Sequence, residues 1–286
     1  MNATRETGVV ATAVTIHVPR IAIEDKAPPF QREIIAGSKA MGEALRALDI
    51  DAIVIVTAHW VSTFNWYATS HAVHEGRCVA DEAPDLVPGL PYRRPGAPDL
   101  AATIAAEAKS AGVPMLTTDC PDLDWDYATY VPMHYLDPAS TVPVVRLPVV
   151  ICCDLDEAMQ VGASVHRAAR ALGRRVALVA SSALSHAVER GPEKWPTDAR
   201  IALDKAFIAD ALGGRQRELI AGFPAWVKAA AGEMAGKPIA TMFGALQSLL
   251  DERRALAVRQ FGPYTQSSAS GNANLLWHPE AAPIPG

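Results

Sequence analysis

The chain has 286 residues, half of them hydrophobic and a fifth charged, so it can bury a substantial core and is not disordered. Its formal net charge of -5 leaves no basic footprint and argues against a nucleic-acid partner. No apolar run is long enough for a membrane span and no basic leader precedes a cleavable apolar stretch, so no membrane association is expected and the cytoplasm is the expected compartment.

The first apolar run, 8–16 in "GVVATAVTIHVP", reads as a strand that ends at His17 and Pro19. Helical spacing follows over 31–48. The second run, 52–58 in "AIVIVTAHW", again ends on a histidine, His59. Residues 71–98, rich in Pro and Gly and without helical period, are expected to be an irregular segment that covers a site. A helix is predicted over 99–112, with Asp99 as N-cap and Gly112 as its stop. The apolar run 142–152 leads into vicinal Cys152 and Cys153, read as small apolar residues at a strand end; with Cys78 and Cys120 they form no C-x-x-C pattern. A helix over 156–172 (N-cap Asp156, stop Gly173) precedes a strand at 175–181, which runs through "ASSALSH" to His186. Helices at 198–213 and 238–250 close the series. Alanine-rich helices alternating with Val/Ile strands predict an α/β fold: one layered domain over 1–286, its central buried sheet flanked by helices.

In such sheets ligands gather outside the carboxyl ends of the strands. His17, His59 and His186 all follow apolar strands there. Each alone reads as a hydrogen-bonded strand-end histidine, but a pair brought together by the sheet suits iron, zinc or copper. Glu233, in "AAAGEMAGKPIATMFGAL", is the candidate carboxylate; its spacing fits a solvated helix-start glutamate equally well. His166 falls within a helix and is expected to do no chemistry.

The motifs "TIHVPRI", "TAHW", "DYATYVPMHYL", "ASSALSH" and "GEMAGKPIATMFGAL" resemble, in order and context, those of class III (LigB-type) extradiol ring-cleavage dioxygenases. The likeness is nearest to the bacterial homoprotocatechuate 2,3-dioxygenase branch and spans most of the chain. It implies a LigB-type fold in which His17, His59 and Glu233 hold a non-haem Fe(II), with His186 as acid–base catalyst. Tyr127 stands where many members carry histidine and where that branch has tyrosine. Trp60, Tyr130 and His134 are the expected substrate contacts. His134 replaces an arginine in the branch's Met-Arg-Tyr motif, which suggests a ring without an acidic side chain. The implied reactants are O2 and a small aromatic ring: a catechol, or alternatively a 2-aminophenol or a hydroxypyridone such as 3-hydroxy-4-pyridone. A homo-oligomer, dimer or tetramer, is expected. Rival readings are a zinc hydrolase, although no H-E-x-x-H is present, and a non-catalytic dioxygenase subunit. A serine hydrolase built on Ser185 and His186 is weaker, since neighbours on a strand point apart and no G-x-S-x-G occurs.

Overall fold

The computed structural model describes residues 6–280. Strand β1 (Gly8–Thr15) is followed by α1 (Arg32–Ala47), β2 (Ala52–Ser62) and β3 (Trp66–Thr69). Next come the paired strands β4 (Val73–Val79) and β5 (Pro88–Pro95), α2 (Pro98–Ser110), β6 (Met115–Thr118) and α3 (Tyr127–Leu136). The chain continues through β7 (Val144–Val150), α4 (Leu155–Ala171) and β8 (Arg175–Ser181). Helices α5 (Asp198–Leu212), α6 (Gln216–Ala230) and α7 (Lys237–Asp251) follow, and β9 (Leu256–Gln260), β10 (Thr265–Ser267), β11 (Ser270–Asn272) and β12 (Leu275–Pro279) complete it.

Six strands form the central sheet in the order β7-β2-β8-β1-β12-β9. The first four are mutually parallel, and β12 runs antiparallel to both β1 and β9. Both faces are buried, which is why these strands read as continuous apolar runs. Val54, Val56, Leu147, Val176 and Leu178 point toward α2, α4 and α7. Ile53, Ile55, Ala177 and Val179, one residue out of step, point toward α1 and α3. The result is a three-layer α/β/α domain. No helix among the described residues is long and apolar enough to cross a membrane.

Two local expectations need correction. The segment 71–98 is not irregular: β4 and β5 pair antiparallel through it. Its prolines Pro88, Pro91 and Pro95 fit because this two-stranded ribbon stands apart from the central sheet and leaves edge positions that need no N–H. Both N-caps lie two residues upstream of the expected aspartates. Helix α2 starts from Ala97, with Asp99 inside its first turn, and α4 is capped by Asp154, which accepts from the Glu157 N–H. Gly112 (φ +85°) and Gly173 (φ +65°) do occupy the left-handed positions that end these helices.

Candidate active site

Register brings the two strand-end histidines together. Thr15 of β1 and Thr57 of β2 both align with Ser181 at the end of β8. His17 and His59 each lie two residues beyond their threonine, on either side of β8. A register shift between Val56 and Val61 interrupts the β2–β7 ladder around His59, the kind of bulge that re-aims a side chain. The turn carrying His17 is held by buried Asn274, whose Oδ1 accepts from Thr15 Oγ1 (3.0 Å) and the Ile16 N–H (3.1 Å). His17 Nδ1 lies 3.1 Å from Ser181 Oγ, which donates to the Ala128 carbonyl and leaves the imidazole to share the hydroxyl's lone-pair side.

Glu233 arrives from the opposite direction, at the start of a short 3-10 turn between α6 and α7. Ala231, Met234 and Ala235 around it all adopt left-handed φ (53°, 47° and 54°), costly for residues with a Cβ and characteristic of backbone held in place by its surroundings. One carboxylate oxygen accepts from the Ala183 N–H at 2.5 Å. The other lies 3.3 Å from both His17 Nε2 and His186 Nε2. Burial alone would raise this carboxyl, but His17, His186 and the Ala183 N–H outweigh it and pull the pKa down to about 2, so Glu233 is ionised. Desolvation, reinforced by His17, lowers the pKa of His59 and keeps that imidazole neutral, with a lone pair to offer.

Ligand atoms of His17, His59 and Glu233 all lie within 4.8 Å of one another. Around a first-row metal with bonds near 2.1 Å, such atoms stand about 3–4 Å apart, so small inward rotations close the set. Two imidazoles and a carboxylate on one side of a cleft, leaving the other side free, fit a divalent metal with open positions. His186 is not part of that convergent set; it stands beside it.

Tyr127 packs against His59, ring centroids 4.2 Å apart. It begins α3 directly after the N-cap Asp126, which accepts from the Thr129 N–H. Asp126 also takes Thr57 Oγ1 (2.5 Å) and the fully buried Arg146 (2.8 Å), tying α3, β2 and β7 together beneath the site. Burial, then Glu82, raises the Tyr127 pKa, so its phenol stays protonated and can donate. Glu82, in the β4–β5 connection, also lies 3.8 Å from His59 Nδ1.

The cleft is half open, with about 550 Å³ of atom-free space that includes open solvent. His17, His59, Tyr127, His186 and Glu233 line its floor, and Val188, Ser267, Ser268, Ser270 and Asn272 its rim. The three expected substrate contacts are not there. Trp60 follows His59 on the strand, so it faces the other way, with the Arg146 guanidinium 5.2 Å from its ring centroid. Tyr130 and His134 stack on each other (5.7 Å, 11°) along α3 and line a separate groove with Tyr92, Arg94 and Trp125. The serine hydrolase reading also fails: Ser185 Oγ donates to Asp204 at 2.6 Å, while His186 points to Glu233. Sequence reasoning missed Asn274, Asp126, Glu82 and the serine rim. Of these only the stretch "SSASGNANLLWHP" held a usable signal, five polar residues ahead of an apolar run.

An α/β/α sheet with a two-histidine, one-carboxylate face at its strand ends defines a candidate metal-dependent enzyme. A family model described as "Catalytic LigB subunit of aromatic ring-opening dioxygenase" matches residues 11–269, and the chain belongs to that family. It is 27% identical over 184 residues to 3,4-dihydroxyphenylacetate 2,3-dioxygenase of Escherichia coli, covering 63% of this chain and 67% of that protein. Over 105 residues it is 30% identical to 4,5-DOPA dioxygenase extradiol of Mirabilis jalapa, covering 34% and 36%. An uncharacterized Escherichia coli K12 protein of known crystal structure shares the fold, with a TM-score of 0.66 at 16% identity over 93% of this chain and 99% of that one.

Proposed function

We propose that the chain is an extradiol dioxygenase that opens a catechol-like ring with O2, using Fe(II) held by His17, His59 and Glu233. The observation that carries this reading is the convergence of those three ligand groups at the floor of a cleft, with His186 against the same glutamate. Iron bound there would supply open positions at which two adjacent ring oxygens and O2 come together. The donor set suits zinc as well, and it is the family that supports iron over a zinc hydrolase. The filled ligand set argues against a non-catalytic subunit.

His186 has the proton work. It is a third exposed and within reach of anything seated over Glu233, and an imidazole both accepts and donates a proton, as a general acid–base group must. In this reading it takes the second hydroxyl proton as the ring binds and returns it to the departing oxygen. Tyr127 donates a hydrogen bond to an oxygen of the substrate pair, and its protonated phenol suits that task.

The rim favours a ring without an acidic substituent. Ser267, Ser268, Ser270 and Asn272 offer neutral donors and acceptors, and no Lys or Arg is among the described residues of the lining. A carboxylate buried there would lack the cation that normally offsets its desolvation. The test is O2 uptake by Fe(II)-reconstituted protein across homoprotocatechuate, a neutral alkylcatechol, 2-aminophenol and 3-hydroxy-4-pyridone. A neutral ring should exceed homoprotocatechuate at least tenfold in kcat/KM, about 1.4 kcal/mol. Uptake with none of these rings would sink the ring-opening reading, and preference for homoprotocatechuate would sink the rim argument alone.

A further inference from the structure

Behind His186 lies a second buried carboxylate that the proposed chemistry does not use. Asp204 of α5 is fully buried, yet forms no ion pair among the described residues. Its three partners are all donors at the site's back wall: the Ser185 N–H (3.1 Å), Ser185 Oγ (2.6 Å) and Tyr264 Oη (2.8 Å). Isolating a carboxylate in this way is expensive, and burial pushes its pKa up to about 6 against the pull of those hydrogen bonds. An asparagine would fill the same volume without that cost, so the charge points to a role beyond packing.

The segment it grips is the one that carries His186. Residues 184–186 leave the end of β8 and are threaded between two cleft walls by single bridges, Ser185 with Gly232 and His186 with Ser270. On one side the His186 N–H donates to Ala231 O (3.0 Å) and the Glu233 N–H to Leu184 O (3.3 Å). On the other, the Leu184 N–H donates to Gly271 O (2.8 Å) and the Gly271 N–H to Ser185 O (2.9 Å). In extended chain, neighbouring side chains point apart, so Ser185 faces Asp204 as His186 faces the cleft. Gly271 allows the approach, since a Cβ there would stand 2.0 Å from Asp204 Oδ2 and 2.3 Å from Tyr264 Oη. The carboxylate thus joins the histidine segment to the serine rim through Ser185 and Tyr264.

We infer that Asp204 is a positioning residue: acting through Ser185, with Tyr264 as its second hydroxyl donor, it fixes the imidazole of His186 against Glu233. The inference rests on His186 being the proton-transfer group. Asp204→Asn keeps the volume and one acceptor, but aims N–H donors at two hydroxyls that now donate to it. The protein should fold, bind metal at the wild-type level and keep KM within about twofold, while kcat falls roughly 10–100-fold, the scale of a reacting group misplaced by about an ångström. Ser185→Ala should do the same more weakly, and the double variant should be no worse than Asp204→Asn, because both break one linkage. The NMR resonance of the His186 Cε1–H in metal-free protein supplies a reading independent of turnover, and it should shift or broaden in Asp204→Asn. An unchanged His186 resonance would overturn the inference, as would activity lost only in proportion to metal. If the wild-type protein turns over no ring, the ring-opening proposal has failed by itself, and the His186 resonance alone decides for or against Asp204.

Discussion

Two buried histidines bracket strand β1, and they have opposite fates. At its start His166 has both nitrogens committed: Nδ1 accepts from the Val9 N–H (3.2 Å) and Nε2 donates to Glu252 (2.9 Å). Gly8, at φ +107°, leaves the space that ring fills. Beyond the other end of the strand, His17 spends Nδ1 on Ser181 and turns Nε2 toward Glu233, in a cleft. One is a buried group with both nitrogens spent on fixed partners; the other turns a nitrogen into a cleft, beside the carboxylate that would share a metal with it. Burial and residue type are the same, so the cleft-facing nitrogen is what separates structure from chemistry.

The largest effect should come from breaking the chemical end. His17→Ala, His59→Ala and Glu233→Ala should each lose bound metal and measurable turnover, read by elemental analysis and O2 uptake. Wild-type metal content in any one of them removes that residue from the ligand set. Next in size is His186→Asn, which should retain metal yet lower kcat by about 10²–10⁴-fold, the range for a positioned proton-transfer group. Metal loss in that variant would make His186 a ligand.

The structural end is tested by pH and by deletion. His74 resembles His166 in being buried with its Nε2 donating to a fixed oxygen, here the Val144 carbonyl rather than a carboxylate. Burial, against the pull of that hydrogen bond, lowers its pKa to about 4. Its folded pKa is depressed, so the unfolded chain binds the proton first. Stability is therefore full above pH 6.5, and about 3 kcal/mol of it is lost as pH falls from 6.5 to 4. Urea titrations of wild type and His74→Gln over that window should show the slope flatten in the variant; equal slopes would mean another group carries it. His166→Ala should cost about 1–3 kcal/mol by orphaning the Val9 N–H, and leave turnover per folded molecule unchanged. A kcat loss beyond about threefold in that variant would break the comparison.

How legible each end was follows from what a sequence displays. The four parallel strands and five helices were readable because their burial on both faces, or on one stripe, writes itself as apolar period. Strands β9 and β12 were not: half-buried "LAVRQ" and the five-residue "LLWHP" lack a long run, and their pairing is a tertiary fact. The histidines were visible as strand ends, but their convergence depends on the shared alignment of Thr15 and Thr57 with Ser181, which no local pattern encodes. Trp60, an expected substrate contact, follows His59 directly, and strand alternation sends it the other way. Tyr130 and His134 were assigned by a motif that continues along α3 past Tyr127, while the helix carries them out of the cleft.

The smallest expected effect belongs to His134, which is at neither end of β1. It is exposed on α3, stacked on Tyr130, with Arg94, Glu24 and Lys39 as its charged surroundings. Had it read the substrate, His134→Arg would restore a bidentate donor fork and favour a carboxylated ring by about 1.5–3 kcal/mol. From a groove separate from the cleft it has no such contact. The kcat/KM ratio of homoprotocatechuate to a neutral catechol should therefore move by less than about twofold, roughly 0.4 kcal/mol. Stability should change by no more than about 0.5 kcal/mol, as for an exposed site. A tenfold gain for the carboxylated ring would put this groove in the substrate's path. It would also transfer the preference for neutral rings from the serine rim to α3.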